Sequence, residues 1–230
     1  MNWVGYLRGT FNPVHAGHVH AAIAVADALD LDHVQMVLAA RPGHREQPTV
    51  GIEHRLTMLR LACAQDARLV ADDSEVRREG HSYTIDTLDQ ASQLRPAERR
   101  CWLIGQDAFA TLPQWHRWQE LFNHANIVVL ARPAAQADAD GANEPDELRQ
   151  VCAQREVDRL DNARHGQILR LHLPMLTVSS TLVRALLSSE KGVEKGAELS
   201  ADQLYALDDL LDPQVAAYVE EHQLYRSNDI

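Results

Sequence analysis

Two histidines three residues apart, His15 and His18, close the run Gly9-Thr10-Phe11-Asn12-Pro13-Val14-His15-Ala16-Gly17-His18. A short apolar stretch precedes this run and an alanine-rich stretch of helical character follows it. Gly9 allows the backbone to approach a ligand closely, and Pro13 sets a tight turn. The free amides at the start of the next helix, with its dipole, favour an anion there. His15 and His18 flank Gly17, so both rings can face one side of that helix start and donate hydrogen bonds to phosphoryl oxygens. Two other readings stay open on these residues alone. The histidines can be solvated caps, or His15, His18 and His20 can bind a metal, although no nearby Asp, Glu or Cys completes such a set.

A second run, Val178-Ser179-Ser180-Thr181-Leu182-Val183-Arg184, also follows an apolar stretch and opens a helix. Its hydroxyls suit helix capping. Arg184 lies one turn into that helix, close enough to its start to fork onto the oxygens of a bound anion. Its bland alternative is a surface ion pair. Arg41-Pro42-Gly43-His44-Arg45 is a Gly/Pro loop with basic groups, fit either to close over phosphates or to stand in solvent. Ser82-Tyr83-Thr84 starts a helix whose amides can bind a carboxylate. Gly105-Gln106-Asp107 follows a strand end, where Asp107 can accept from ribose hydroxyls. Trp115 can stack on a flat heterocycle, or belong to the core.

Positioning these groups requires an alternation of strands and helices. Strands are expected at Trp3 to Leu7, Val34 to Ala39, Arg68 to Ala71, Cys101 to Ile104, Ile127 to Leu130 and Ile168 to Leu173. Helices are expected at Gly17 to Leu29, Ile52 to Ala64, Tyr83 to Leu94 and Pro113 to Phe122. That order predicts an α/β fold, a Rossmann-like doubly wound parallel sheet with helices on both faces. The stretch from Pro133 to Asp146 reads as a surface loop. The end of the chain, from about residue 179 to 230, reads as helical, with a helix from Pro213 to His222 capped by Asp212. The whole of 1–230 is expected to form one domain.

Of the 230 residues, 45% are hydrophobic, enough for an ordinary core, and only 5% are aromatic, so that core must be aliphatic. The formal net charge of −11 argues against gripping a nucleic-acid backbone, which needs clustered cations. Cys63, Cys101 and Cys152 are odd in number and widely spaced, which points to a reducing cytoplasm. No secretory leader and no membrane-spanning run is expected. Homo-oligomerisation stays open.

The ordered set of motifs resembles the nicotinate-mononucleotide adenylyltransferase family, a branch of the HxGH-type nucleotidyltransferases. That family is marked by GTF(D/N)PxHxGH near the start and (I/V)SSTxxR near the end, both present here. Pro42 to Arg45, Ser82 to Leu88, Ile104 to Asp107, Trp115 to Trp118 and Leu224 to Arg226 extend the likeness over nearly the whole chain. The resemblance implies joining of ATP to nicotinate mononucleotide, with Mg²⁺ arriving on ATP, no metal ligands from the protein and no tightly bound cofactor. It implies that His15, His18, Arg184, His44 and Arg45 contact the ATP phosphates, beside Ser180 and Thr181. Gly9, Thr10 and Phe11 would shape the nucleotide turn. Gly105 and Asp107 would hold a ribose, and Thr84, Trp115 and the backbone near His116 the nicotinate ring and its carboxylate. Related transferases acting on pantetheine phosphate, nicotinamide mononucleotide or polar head groups are the rival enzymes. An ATP-binding sensor without chemistry is the rival of another class. One residue departs from the pattern: Arg8 stands where the family has the first of two glycines, and it is expected to add a phosphate contact.

Overall fold

Short apolar runs that face protein on both sides form buried parallel strands, and six of them pair here. The computed structural model describes residues 3–41, 48–131, 144–161, 163–174, 176–188 and 207–226. The strands are β1 (Trp3–Gly9), β2 (His33–Leu38), β3 (Leu69–Asp72), β4 (Arg99–Gly105), β5 (Asn126–Ala131) and β6 (Ile168–His172). All five pairings are parallel, in the order β3-β2-β1-β4-β5-β6. The order reverses between β1 and β4, so a crevice opens at their carboxyl ends, the place where open α/β sheets bind ligands. Gly9 closes β1 and Gly105 closes β4, one on each side of that crevice.

The helices are α1 (Ala16–Leu29), α2 (Ile52–Cys63), α3 (Ser74–Arg77), α4 (Thr84–Leu94), α5 (Gln106–Ala110), α6 (Asp146–Arg155), α7 (Ser180–Ser188), α8 (Leu207–Leu210) and α9 (Pro213–Glu221). They cover both faces of the sheet. On one face Val19, Ala22 and Val25 of α1 pack with Leu56 and Leu59 of α2 and Val215 and Val219 of α9. On the other, Ile85 and Leu88 of α4 pack with Phe109 of α5 and Leu148 of α6 against Val4, Tyr6 and Ile104. The alanines of α1 (Ala21, Ala22 and Ala26 are buried) let that helix lie close to the strands. The Asp212 side chain caps α9, accepting from the amides of Gln214 at 2.8 Å and Val215 at 3.4 Å.

Two expectations need correction. The helix expected from Pro113 to Phe122 is two short 3₁₀ segments, Leu112–Gln114 and Trp118–Asn123. The chain breaks between them at Arg117, whose φ of 52° lies in the left-handed region. The break leaves His116 exposed while Trp118, Leu121 and Phe122 turn into the core. Asp146, assigned to a loop, is the first residue of α6, whereas positions 132–143 of that loop lie outside the described residues. Beyond residue 179 the described residues hold α7, α8 and α9 with short non-helical stretches at 211–212 and 222–226, and 189–206 lie outside the described residues.

Candidate active site

The β1–α1 connection folds back on itself beneath the crevice. Phe11 takes a left-handed φ of 46° and is fully buried, and the Asn12–Pro13 peptide is cis. Gly9 has a second reason to be glycine, because a Cβ there would meet the Phe11 ring at 2.8 Å. At Gly17 a Cβ would press on the His15 ring at 3.1 Å. The turn is thus packed against its own aromatic residues.

His15 is the N-cap of α1, with extended backbone, and His18 lies in the first turn. Their ring centroids sit 3.7 Å apart with the planes tilted by 30°, and the Phe11 and His18 rings meet edge to face with centroids 5.0 Å apart. The His15 amide donates to Nδ1 of His18 at 3.3 Å. A ring nitrogen that accepts carries no proton, so neutral His18 is protonated on Nε2 and presents that N–H as a donor. His15 is 6% exposed, and its Nδ1 has no hydrogen-bond partner among the described residues.

Burial pushes the His15 pKa down to about 4. Burial, reinforced by the neighbouring His15 ring, pushes that of His18 down to about 3. Both rings are therefore neutral donors at pH 7. Their folded pKa values lie below the unfolded value of 6.5, so the unfolded chain takes up protons first on acidification. The stability linked to this pair is complete above about pH 6.5 and drains away as the pH falls toward about 3. A polyphosphate beside the rings favours their protonated forms. Nucleotide binding near pH 5 is then expected to take up protons. Calorimetry in two buffers of different ionisation enthalpy reads this directly, and equal apparent enthalpies would contradict it.

The second run of the sequence docks onto the first. Ser179 caps α7 by accepting from the Leu182 amide at 3.1 Å. Ser180 Oγ donates to the Pro13 carbonyl at 3.0 Å. Arg184 Nη1 donates to the Asn12 carbonyl at 2.7 Å, across 172 residues of chain, and its Nη2 to Thr181 Oγ1 at 3.2 Å. The structure thus brings Gly9, Thr10, Phe11, His15, His18, Ser180, Thr181 and Arg184 to one place. Tyr225, whose hydroxyl bonds Asn12 Oδ1 at 2.9 Å, joins them from beyond α9.

Gly105 and Asp107 lie across the crevice, Gly105 as N-cap of α5 and Asp107 in its first turn. Thr84 opens α4 with its side chain buried, which leaves its amide as the group for a ligand at that helix start. Trp115 and His116 occupy the break between the 3₁₀ segments. Trp115 Nε1 donates to Thr111 Oγ1 at 3.4 Å, and the His116 ring lies 4.5 Å from that of Tyr83. His44 and Arg45 lie outside the described residues. Arg8 does not spend its fork on an open anion site. Its Nε and Nη2 bond the carboxylate of Glu75 at 2.7 and 3.1 Å. The expected phosphate contact gives way to this pair, because Glu75 is buried and carries a charge that must be neutralised.

Sequence reasoning passed over Arg55, and it named Tyr83 and Tyr225 within motifs without giving either a role. Arg55 is 1% exposed and donates to the carbonyls of Thr10, Ala39, Ala40 and Val50 at 2.8 to 3.2 Å, tying the β1 exit to the β2 exit. Its only local signal was an arginine inside a helix, which normally means surface.

A parallel sheet with a histidine pair at its topological switch point and an arginine docked from the far end of the chain defines a nucleotide-handling α/β enzyme. The cytidylyltransferase-like family model matches residues 6–186. A relative from Pseudomonas syringae pv. tomato named "Probable nicotinate-nucleotide adenylyltransferase" is 40% identical over 97% of this chain and 94% of its own length. One of the same name from Aeromonas hydrophila is 39% identical over 97% of each chain. The chain belongs to the nicotinate-nucleotide adenylyltransferase family and is an enzyme of the nucleotidyltransferase class. In fold it is similar to Plasmodium falciparum nicotinic acid mononucleotide adenylyltransferase complexed with NaAD. The TM-score is 0.69 at 14% identity, covering 98% of each chain.

Proposed function

We propose that the protein condenses ATP with nicotinate mononucleotide, forming nicotinate adenine dinucleotide and releasing pyrophosphate, a step of NAD biosynthesis. The observation that carries this reading is the seat of Arg184 on the Asn12 carbonyl, beside the stacked His15 and His18 rings at the β1–β4 crevice. Helix-start amides, two neutral imidazole donors and a permanent cation converge on one point, which suits a polyphosphate. The names of the relatives supply the acceptor.

The attacking oxygen belongs to the 5′-phosphate of the acceptor, whose second pKa is near 6, so the group is mostly dianionic at pH 7. No general base is needed. The new bond joins that oxygen to the α-phosphorus of ATP, the bond from the α-phosphorus to the bridging oxygen breaks, and pyrophosphate leaves with the electron pair. The chain's part is to align the reactants and to stabilise charge on the transferring phosphoryl group and leaving group. In this reading His18 Nε2–H and Arg184 act there, with His15, Thr10, Ser180 and Thr181 around them and His44 and Arg45 assisting. Gly105 and Asp107 take a ribose, while Thr84, Trp115 and His116 take the nicotinate side. Mg²⁺ enters as the ATP complex and offsets charge on the leaving pyrophosphate. The whole chain acts as one domain in a reducing cytoplasm, a placement supported by three buried free thiols. No helix among the described residues is long and apolar enough to cross a membrane.

Pyrophosphate release from Mg-ATP, measured in parallel with nicotinate and nicotinamide mononucleotides, tests the reading. Strong release with the acid and little with the amide is the expected result. Comparable rates would keep the chemistry and remove the acid preference. No release with either would remove the acceptor assignment.

A further inference from the structure

Arg8 occupies a position where the family pattern has glycine, and its surroundings show what the guanidinium does there. Glu75, on α3, has a fully buried side chain. Its carboxylate accepts from Arg8 Nε at 2.7 Å, from Arg8 Nη2 at 3.1 Å and from Thr87 Oγ1 of α4 at 2.8 Å. Arg8 Nη2 also donates to the Ser82 carbonyl at 2.8 Å. Ser82 is held a second time by Arg41, at the exit of β2. The Ser82 amide donates to the Arg41 carbonyl, and the Arg41 amide donates to Ser82 Oγ, both at 3.2 Å. One guanidinium therefore joins the end of β1, a buried carboxylate and the residue that leads into α4.

The direction of these bonds matters. In a trans peptide the carbonyl of Ser82 and the N–H of Tyr83 point opposite ways. Anchoring the carbonyl on Arg8 turns the Tyr83 N–H, in the peptide that leads into α4, away from Arg8. The amides of a helix start have no acceptor inside the helix and are available to an anion. The Tyr83 ring, from the same peptide, lies against His116. A glycine at position 8 offers none of these contacts. A lysine offers a point charge without the fork.

We infer that Arg8 is a positioning residue of the acceptor subsite. Through Glu75 and the Ser82 carbonyl it sets the aim of the α4 start toward the carboxylate of nicotinate mononucleotide, without touching the reacting atoms. This rests on the acceptor assignment proposed above.

The rival role is that Arg8 only neutralises Glu75, and a double variant separates the two. Arg8→Met leaves a buried carboxylate without its cation, so Tm falls. It is expected to raise the KM for nicotinate mononucleotide about tenfold, the scale of one lost charge-assisted hydrogen bond, with the KM for ATP changing by less than about twofold. Arg8→Met/Glu75→Gln removes the stranded charge and keeps an acceptor for Thr87. It is expected to regain most of the lost Tm while keeping the raised acceptor KM, and calorimetric binding of nicotinate mononucleotide should weaken in step. Recovery of both Tm and KM in the double variant would overturn the inference. So would equal rises in both Michaelis constants, or no change in either. If the unsubstituted enzyme releases no pyrophosphate with nicotinate mononucleotide, the acceptor assignment itself fails. If that enzyme is active and the split is missing, the Arg8 role alone fails.

Discussion

Replacing His18 by alanine is expected to lower kcat by about a hundredfold to a thousandfold, the usual cost of removing one preorganised donor from a developing oxyanion. The KM for ATP should change far less. The reason lies in how the ring is fixed. Its Nδ1 is occupied by the His15 amide, so the only proton of the neutral ring sits on Nε2. The ring contacts His15 and, edge to face, Phe11, with centroid distances of 3.7 and 5.0 Å. A donor aimed before the substrate arrives does not need to reorganise as charge develops, so its contribution falls on the transition state. Steady-state kinetics of pyrophosphate release give the split. A rise in the KM for ATP at constant kcat would reduce His18 to a docking residue. The variant also loses a local bond at the start of α1, and a parallel melt shows whether that loss, about 1 kcal/mol for a cap, has spread further.

The strands were legible because parallel strands covered on both faces are written as short apolar runs, such as Val34 to Leu38 and Ile127 to Leu130. Observed ends moved by only one or two residues. The β1–α1 loop was legible because its residues are local and sit between a strand and a helix. Bonds between distant residues were not. Nothing near Arg8 in the chain announces Glu75, which lies 67 residues away, and the fork of Arg8 satisfies that carboxylate rather than a ligand. The Pro113 to Phe122 stretch carries a helical period, yet Arg117 adopts a left-handed conformation there, set by tertiary packing around Trp118 and not by local preference. The short α3 and α5 are too brief to show a period at all.

The residue least visible in the sequence carries the second large effect. Arg55→Ala is expected to destabilise the protein by about 3 to 5 kcal/mol, the scale of leaving several buried carbonyls unpaired at about 1 to 3 kcal/mol each with partial relaxation. For a chain of this size that corresponds to a fall in Tm of about 6 to 20 °C. The guanidinium donates to four backbone carbonyls, of Val50, Thr10, Ala39 and Ala40. Truncation strands these acceptors away from water, which adds their desolvation to the lost bonds. Among its described contacts there is no carboxylate. Burial lowers the Arg55 pKa, yet an arginine keeps its proton, so a positive charge persists under the turn. That charge and the one on Arg184 oppose the rise that burial imposes on the pKa of the Tyr225 hydroxyl, itself bonded to Asn12. The turn that carries His15 and His18 is therefore laid over a cation bonded to its backbone at Thr10. Arg55→Lys separates the two contributions. An ammonium keeps the charge but cannot span four carbonyls. Arg55→Ala is also expected to raise the KM for ATP, because the cation under the turn is lost, and Arg55→Lys should restore part of that affinity and little of the Tm. Melting curves and the KM for ATP, read on both variants, give the answer. Full recovery of Tm by lysine would show that charge alone, and not the fork across the β1 and β2 exits, holds the nucleotide turn in place.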